Sequence, residues 1–89
     1  MARFDYTSRD IVEFAAEGGA PDALLELGLL YASGREAAQD FVTAHKWFNL
    51  AALRGNAEAR RYRQELSREM TKAQVAKAQK LAREWLSRH

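Results

Sequence analysis

The 89-residue sequence contains no cysteine, one proline and five glycines, and its two histidines, His45 and His89, lie far apart. The lack of cysteine excludes disulfide bonds, thiol catalysis and cysteine-ligated zinc or iron–sulfur sites. Two distant histidines do not suggest a metal centre, and we expect no cofactor. No segment approaches the roughly 20 apolar residues that a membrane-spanning helix needs, and the first residues lack the apolar run of a signal peptide. We therefore expect a cytoplasmic protein that does not contact a membrane.

The length and composition predict one small folded domain over residues 1–89. Hydrophobic residues make up 47% and charged residues 29% of the chain, which is the balance of a folded protein. The net charge of +2 is unevenly distributed: residues 1–54 carry five basic and eight acidic side chains, whereas residues 55–89 carry nine and four. The basic C-terminal part is either a face for an acidic partner or an ordinary solvated surface.

Helix start and stop signals divide the chain into five segments, and no segment alternates polar and apolar residues as a β-strand would. Residues that favour helix N-caps or first turns precede the segments, and glycines follow several of them. The predicted helices cover residues 8–17, 21–33, 41–54, 57–69 and 71–87, and the residues that would begin them are Thr7, Pro21, Asp40, Asn56 and Thr71. The pattern predicts an all-α fold.

An internal repeat relates residues 15–23 to residues 51–59 at a constant offset of 36 residues. The alignment matches a pair of alanines in each segment, and it also matches Gly19 with Gly55. A repeat of this length that contains two helices is typical of an α-solenoid.

Residues 23–59 resemble one complete unit of the Sel-one-like repeat family, which is related to the tetratricopeptide repeats. The positions that carry the resemblance are Ala23, Leu27, Gly28, Tyr31, Gly34, Asp40, Ala44, Trp47, Ala51, Ala52, Gly55 and Ala59. Residues 56–69 resemble the first helix of a following unit, but Arg63 and Gln64 replace its Leu–Gly pair. Residues 71–87, which include Trp85, resemble the capping helix of bacterial members. The resemblance implies a short right-handed α-solenoid of about five helices.

Gly28 lies in the middle of a predicted helix, where glycine costs about 1 kcal/mol relative to alanine. A helix accepts this cost where another chain segment must approach closely. We expect the small side chains of Ala51 and Ala52 to provide that close contact.

His45 is the one candidate general base, and no serine or carboxylate is tied to it by a recognisable spacing. We interpret it as a partly exposed helical histidine and predict that the protein is not an enzyme.

Solenoid units present the outward stripe of their first helix to partners, which in this chain predicts a binding surface. The stripe consists of Asp22, Leu25, Glu26, Leu29 and Ala32, and the corresponding stripe of the fourth helix consists of Arg61 and Glu65. Either the first helix covers Leu25 and Leu29, or these leucines form an exposed apolar patch that meets a partner. We predict a protein-interaction module or small adaptor that binds a peptide or protein. Weak homo-oligomers through these leucines or the open edge of the first helix are a further expectation.

The alternative is a basic helical domain that associates with nucleic acid or the ribosome surface through residues 60–88. Glu65, Glu69 and Glu84 are interleaved with these basic residues and Glu58 precedes them, and no aromatic stacking platform accompanies them. A solvated face is the simpler interpretation, so we do not expect nucleic acid as the partner.

Overall fold

The computed structural model describes residues 8–35 and 37–89, and within them the chain forms five α-helices and no β-strand. The helices are α1 (Ser8–Glu17), α2 (Pro21–Ser33), α3 (Phe41–Leu53), α4 (Ala57–Ser67) and α5 (Lys72–Arg88). The all-α prediction is confirmed, and the helix ends differ from the predicted ones by at most two residues. The predicted cap Thr7 lies outside the described residues.

Side-chain caps begin three of the helices at the predicted positions. The Asp40 carboxylate accepts hydrogen bonds from the backbone N–H and the hydroxyl of Thr43, at 3.1 and 2.7 Å. The side-chain oxygen of Asn56 accepts from the first turn of α4 at 3.0 Å. Thr71 and Gln74 form a reciprocal capping box at the start of α5. These bonds satisfy helix N–H groups that would otherwise lack partners, so the local sequence fixes where each helix starts.

The turns that follow α1 and α3 are equivalent at an offset of 36 residues. Both contain a glycine in the left-handed region, Gly19 with φ 78° and Gly55 with φ 104°. The helices before these turns end 36 residues apart, at Glu17 and Leu53, and the helices after them begin 36 residues apart. Glycine adopts this conformation without the steric cost that other residues incur. The sequence repeat therefore corresponds to a repeated helix–turn–helix boundary.

Helix α3 is central: it packs against α2, α4 and α5, and α1 packs against α2. The start of α3 lies beside the start of α5, where Phe41 and Gln74 line one surface depression. Further along the same two helices Trp47 contacts Trp85 edge to face, with ring centroids 6.3 Å apart. Helices α3 and α5 therefore run in the same direction.

Helices α2 and α4 also run in the same direction, because a hydrogen bond joins their starts and the later residues Leu29 and Leu66 line one surface depression. The side chain of Asn56, at the start of α4, donates a 3.1 Å hydrogen bond to Asp22 at the start of α2.

None of the described helices is long and apolar enough to cross a membrane.

The core consists of two clusters of buried side chains. The larger cluster joins all five helices and contains Ala16, Leu24, Leu27, Leu30, Leu50, Ala51, Ala59, Ala82 and Trp85. The smaller one contains Ala44, Phe48 and Leu66 and lies between α3 and α4. Most of the repeat positions therefore have a packing role.

Gly28 accommodates an aromatic ring rather than small side chains. A Cβ atom at this position would lie 2.3 Å from Cε1 and 2.4 Å from Cδ1 of Phe48, far inside van der Waals contact. The expectation that Ala51 and Ala52 make the close contact is therefore wrong. The missing side chain lets the Phe48 ring approach α2, which shapes the surface described next.

Candidate partner-binding groove and a buried histidine network

A groove of about 440 Å³ lies between the C-terminal halves of α2 and α4, above α3. Its lining residues are Leu29, Ala32, Ser33, Phe41, Phe48, Tyr62, Glu65, Leu66 and Glu69. We call it the α2–α4 groove. Its volume falls within the roughly 300–1,000 Å³ range of ligand pockets.

The floor of the α2–α4 groove is aromatic and aliphatic. Phe48 is 1% exposed and stacks on Tyr62, with ring centroids 5.5 Å apart and an angle of 18° between the planes. Leu66 lies beside them and is also buried. The stack joins α3 to α4, and because Gly28 has no side chain the Phe48 ring also reaches α2. The floor is therefore fixed by packing, and its accessible apolar surface comes from the half-buried Tyr62, because Phe48 and Leu66 are buried.

The rim of the groove is acidic. Glu65 and Glu69 are exposed, lie four residues apart in the sequence, and are the two charged residues among those that line the groove. The neighbouring Arg61 extends towards Glu58, with 3.9 Å between Nη2 and Oε2, and its guanidinium lies 5.2 Å from the centre of the Tyr62 ring. An occupant therefore meets two carboxylates above an apolar floor.

Leu25 and Leu29 are half-buried and lie in different surroundings. Leu25 packs against both core clusters, whereas Leu29 packs against the smaller one and lines the α2–α4 groove. The groove is lined by α2, α3, α4 and the residue Glu69 that follows α4, so α1 does not cover Leu29 there. Leu29 thus belongs to the wall of a groove, which neither of the two sequence-based alternatives described.

The remaining predicted binding residues are divided between the groove and other surfaces. Glu65 lies on the rim, and Arg61 is exposed on α4 beside it. Asp22 and Glu26 are exposed on α2, with Asp22 bound to the cap of α4. The structure thus brings Leu29 and Glu65 together and leaves Asp22 outside the groove.

Sequence reasoning missed several groove residues because it followed one helix at a time. Phe41 lies two turns before Phe48 on α3, and Tyr62 and Leu66 lie one turn apart on α4, so helical spacing could have placed each pair on one face. Only the packing of α2 and α4 against α3 shows that these faces, together with Glu69, surround one groove.

A chain of polar side chains is buried between α3 and α4, and we call it the buried histidine network. Arg63 Nη1 donates to Asn49 Oδ1 at 2.9 Å, and Asn49 Nδ2 lies 3.0 Å from His45 Nδ1. His45 Nε2 lies 2.8 Å from Ser67 Oγ, which is 2.9 Å from the backbone oxygen of Arg63. The network therefore begins and ends at Arg63.

The donors in this network can be assigned from chemistry. Arginine only donates, so Asn49 presents its oxygen to Arg63 and its NH₂ group to His45. His45 Nδ1 then accepts, Nε2 carries the proton and donates to Ser67, and the Ser67 hydroxyl donates to the Arg63 carbonyl. A nucleophilic serine needs the opposite arrangement, in which the histidine accepts the hydroxyl proton. The Ser67–His45 pair is therefore arranged for packing and not for nucleophilic attack.

His45 is 1% exposed, so the expectation of a partly exposed histidine is wrong. Burial, reinforced by the positive charge of Arg63, holds the pKa of His45 below the ordinary histidine value. The network requires the neutral imidazole. Arg63 donates to Asn49 and Asn49 donates to His45 Nδ1, so this nitrogen must accept and cannot carry a proton.

A second aromatic cluster joins α5 to α3 on the side away from the groove. His89 stacks on Trp85 at 3.9 Å, and its Nε2 lies 3.1 Å from Oε2 of Glu17. Lys46 places Nζ 4.1 Å from the centre of the Trp47 ring, and burial together with nearby Arg88 lowers the pKa of this lysine. Nε1 of Trp47 is buried without a hydrogen-bond acceptor among the described residues.

The basic residues of the C-terminal part lie mainly on the solvent side of α4 and α5. The exposed members are Arg60, Arg61, Arg68, Lys72, Lys77, Lys80, Arg83 and Arg88. Arg63 is the exception, since it is half-buried in the histidine network.

Within residues 8–35 and 37–89, no group of three His, Cys, Asp or Glu side chains could hold a metal ion.

Comparison of the chain with protein-family models, curated proteins and solved structures finds no match. The Sel-one-like assignment therefore stays a resemblance carried by the residues of one repeat.

Proposed function

We propose that this protein is a non-enzymatic protein-interaction module of the Sel-one-like repeat type that binds a peptide segment of its partner in the α2–α4 groove. The observation that carries the proposal is the apolar lining of this groove, where Leu29, Phe41 and Tyr62 are half-buried and so remain partly open to a partner. Peptides that dock as amphipathic helices place apolar side chains in grooves of this kind. The outward stripe predicted from the sequence contributes Leu29 and Glu65 to this surface.

The proposed architecture is a short right-handed α-solenoid over residues 1–89, with one full unit at residues 23–59 and a capping helix at about residues 71–87. The 36-residue offset between equivalent turns supports it, as does the common direction of α3 and α5. Trp85 and Ala82 of α5 join the main core cluster, as a capping helix would require. The bacterial, cytoplasmic and adaptor character expected from the resemblance stays a prediction.

The non-enzymatic part of the proposal is supported by the donor directions around His45, the one candidate base of the sequence. Its two ring nitrogens are both engaged within the buried network, and the ring is shielded from solvent. A general base must reach a substrate proton, which this ring cannot do without unfolding the contact between α3 and α4.

The test is peptide selection from a random display library against the purified chain, followed by affinity measurements on the selected peptides. We expect Leu29→Glu to reduce their affinity at least about tenfold, because it places a charge on the apolar wall. Leu53→Glu is the matched control, since Leu53 is 67% exposed and lies outside the groove. Circular dichroism checks that both variants fold. Equal affinities for the two variants, or a library that yields no binder, would refute the proposal.

A second candidate function is association with nucleic acid, and the exposed basic residues of α5 favour it. Binding of this kind would weaken steeply with salt, since it depends on counterion release from phosphates. Fluorescence anisotropy with a duplex and a single-stranded oligonucleotide, in about 0.05 M and about 0.2 M salt, tests it. A Lys80→Glu, Arg83→Glu variant that binds as the wild type does would exclude this role for α5.

A further inference from the structure

We infer that the segment recognised by the α2–α4 groove is a basic amphipathic helix, in which an apolar stripe is flanked by lysine or arginine. This inference rests on the proposed function and adds the chemistry of the partner. The uneven charge of the sequence would by itself suggest an acidic partner for the basic C-terminal part, whereas the groove suggests a basic one.

The floor defines the apolar stripe of the partner. The core holds Phe48 and Leu66 in place, and stacking on Phe48 holds Tyr62. This part of the groove therefore stays apolar. Leu29 and Phe41 provide apolar walls on the α2 and α3 sides. Apolar side chains at i, i+3 and i+4 of a helix form a stripe of the kind that such a groove receives.

The rim defines the charge of the partner. Glu65 lies in the last turn of α4 and Glu69 two residues after its end, and both exposed side chains line the groove. The nearby Arg61 extends towards Glu58, with 3.9 Å between Nη2 and Oε2. An acidic segment would be repelled here, whereas a basic side chain gains charge-assisted hydrogen bonds. The edge therefore selects for lysine or arginine next to the apolar stripe.

The two carboxylates are exposed, so their effect on affinity is modest and depends on salt. A single exposed ion pair is worth up to roughly a fivefold change in affinity. Reversal of both charges replaces attraction by repulsion, and we expect it to weaken a basic peptide about tenfold at low ionic strength.

The experiment repeats the display selection with the wild type and with the Glu65→Lys, Glu69→Lys variant. Peptides selected by the wild type should combine apolar residues at helical spacing with lysine or arginine, and the variant should select glutamate or aspartate instead. Glu26→Lys, Glu84→Lys is the matched control, because it changes the charge equally at exposed positions that do not line the groove. This control should select the same basic peptides as the wild type.

Affinities of one selected basic peptide provide the second measurement. The rim variant should bind it about tenfold more weakly at about 0.05 M salt, and the difference should shrink at about 0.5 M salt. If the selected peptides are acidic or uncharged but lose affinity for the Leu29→Glu variant, this inference is overturned and the proposed function still holds. A library from which the folded wild type selects nothing would overturn the proposed function itself.

Discussion

The contact between Gly28 and Phe48 makes a quantitative prediction about a single methyl group. In Gly28→Ala the new Cβ would lie 2.3 Å from Cε1 and 2.4 Å from Cδ1 of Phe48, whereas carbon atoms pack at about 3.5–4.0 Å. The ring would have to move by more than about 1 Å, although it is 1% exposed and stacked on Tyr62. The substitution therefore stabilises α2 through helix propensity and destabilises the core through overpacking.

The two effects differ in size. Alanine in a helix interior is favoured over glycine by about 1 kcal/mol. Overpacking of a well-packed core typically costs about 1–3 kcal/mol, and this overlap belongs at the upper end. We expect Gly28→Ala to lower the free energy of unfolding by about 2 kcal/mol. For a domain of this size, that corresponds to a decrease of roughly 8–16 °C in Tm.

Urea denaturation followed by circular dichroism measures this change, and a double-mutant cycle with Phe48→Val assigns its cause. Valine lacks both overlapping ring atoms, Cδ1 and Cε1, so Gly28→Ala should cost less than about 0.5 kcal/mol in that background, a coupling of about 1.5 kcal/mol or more. Gly18→Ala is the control, because a Cβ there would meet only the Ala15 carbonyl oxygen at 3.6 Å. Equal costs of Gly28→Ala in both backgrounds would refute the assignment to Phe48.

Three further predictions concern other contacts. The pKa of His45 is lower in the folded chain, so the unfolded chain takes up the proton first as the pH decreases. The stability that the neutral ring contributes should therefore be complete above about pH 6.5 and fall below it. His45→Gln should flatten the dependence of urea-denaturation stability on pH between pH 5 and 7, and an unchanged slope would contradict this origin. Asn56→Ala removes the cap of α4 and its bond to α2, and should cost about 1–2 kcal/mol in thermal unfolding, whereas Asn56→Ser should restore the cap alone. Any self-association seen by sedimentation across a concentration series should decrease in Phe14→Glu, because Phe14 is 83% exposed on α1, and an undiminished dimer would locate the interface elsewhere.

The helices were predictable because their ends are encoded locally. Asp40, Asn56 and Thr71 cap the helices that follow them, and each bond joins residues three positions apart. Gly19 and Gly55 reverse the chain after helices that the hydrophobic pattern already indicates. Interactions of such short range can be inferred from a single sequence, and they account for the agreement in helix number and boundaries.

The groove was less predictable because its residues come from three helices. Leu29 and Glu65 were identified as outward residues, but the repeat pattern could not show that α2 and α4 enclose a floor provided by α3. The role of Gly28 was misassigned for a similar reason. Its spacing indicates a close approach, but the approaching group is one turn away from the expected Ala51 and Ala52, at Phe48.

Arg63 shows how a departure from the repeat can indicate a structural role. It stands 36 residues after Leu27, which is fully buried in the first unit, so the repeat places a charged side chain at a core position. An unpaired charge there would be costly, and the structure meets this requirement by placing Asn49 within 2.9 Å and continuing through His45 to Ser67. The polar residues on α3 are thus matched to the arginine on α4. A buried network of this kind fixes how two helices align, because a shift of one turn would leave several donors unpaired. The same alignment holds Tyr62 and Leu66 beside Phe48, so the buried histidine network positions the floor of the proposed binding groove.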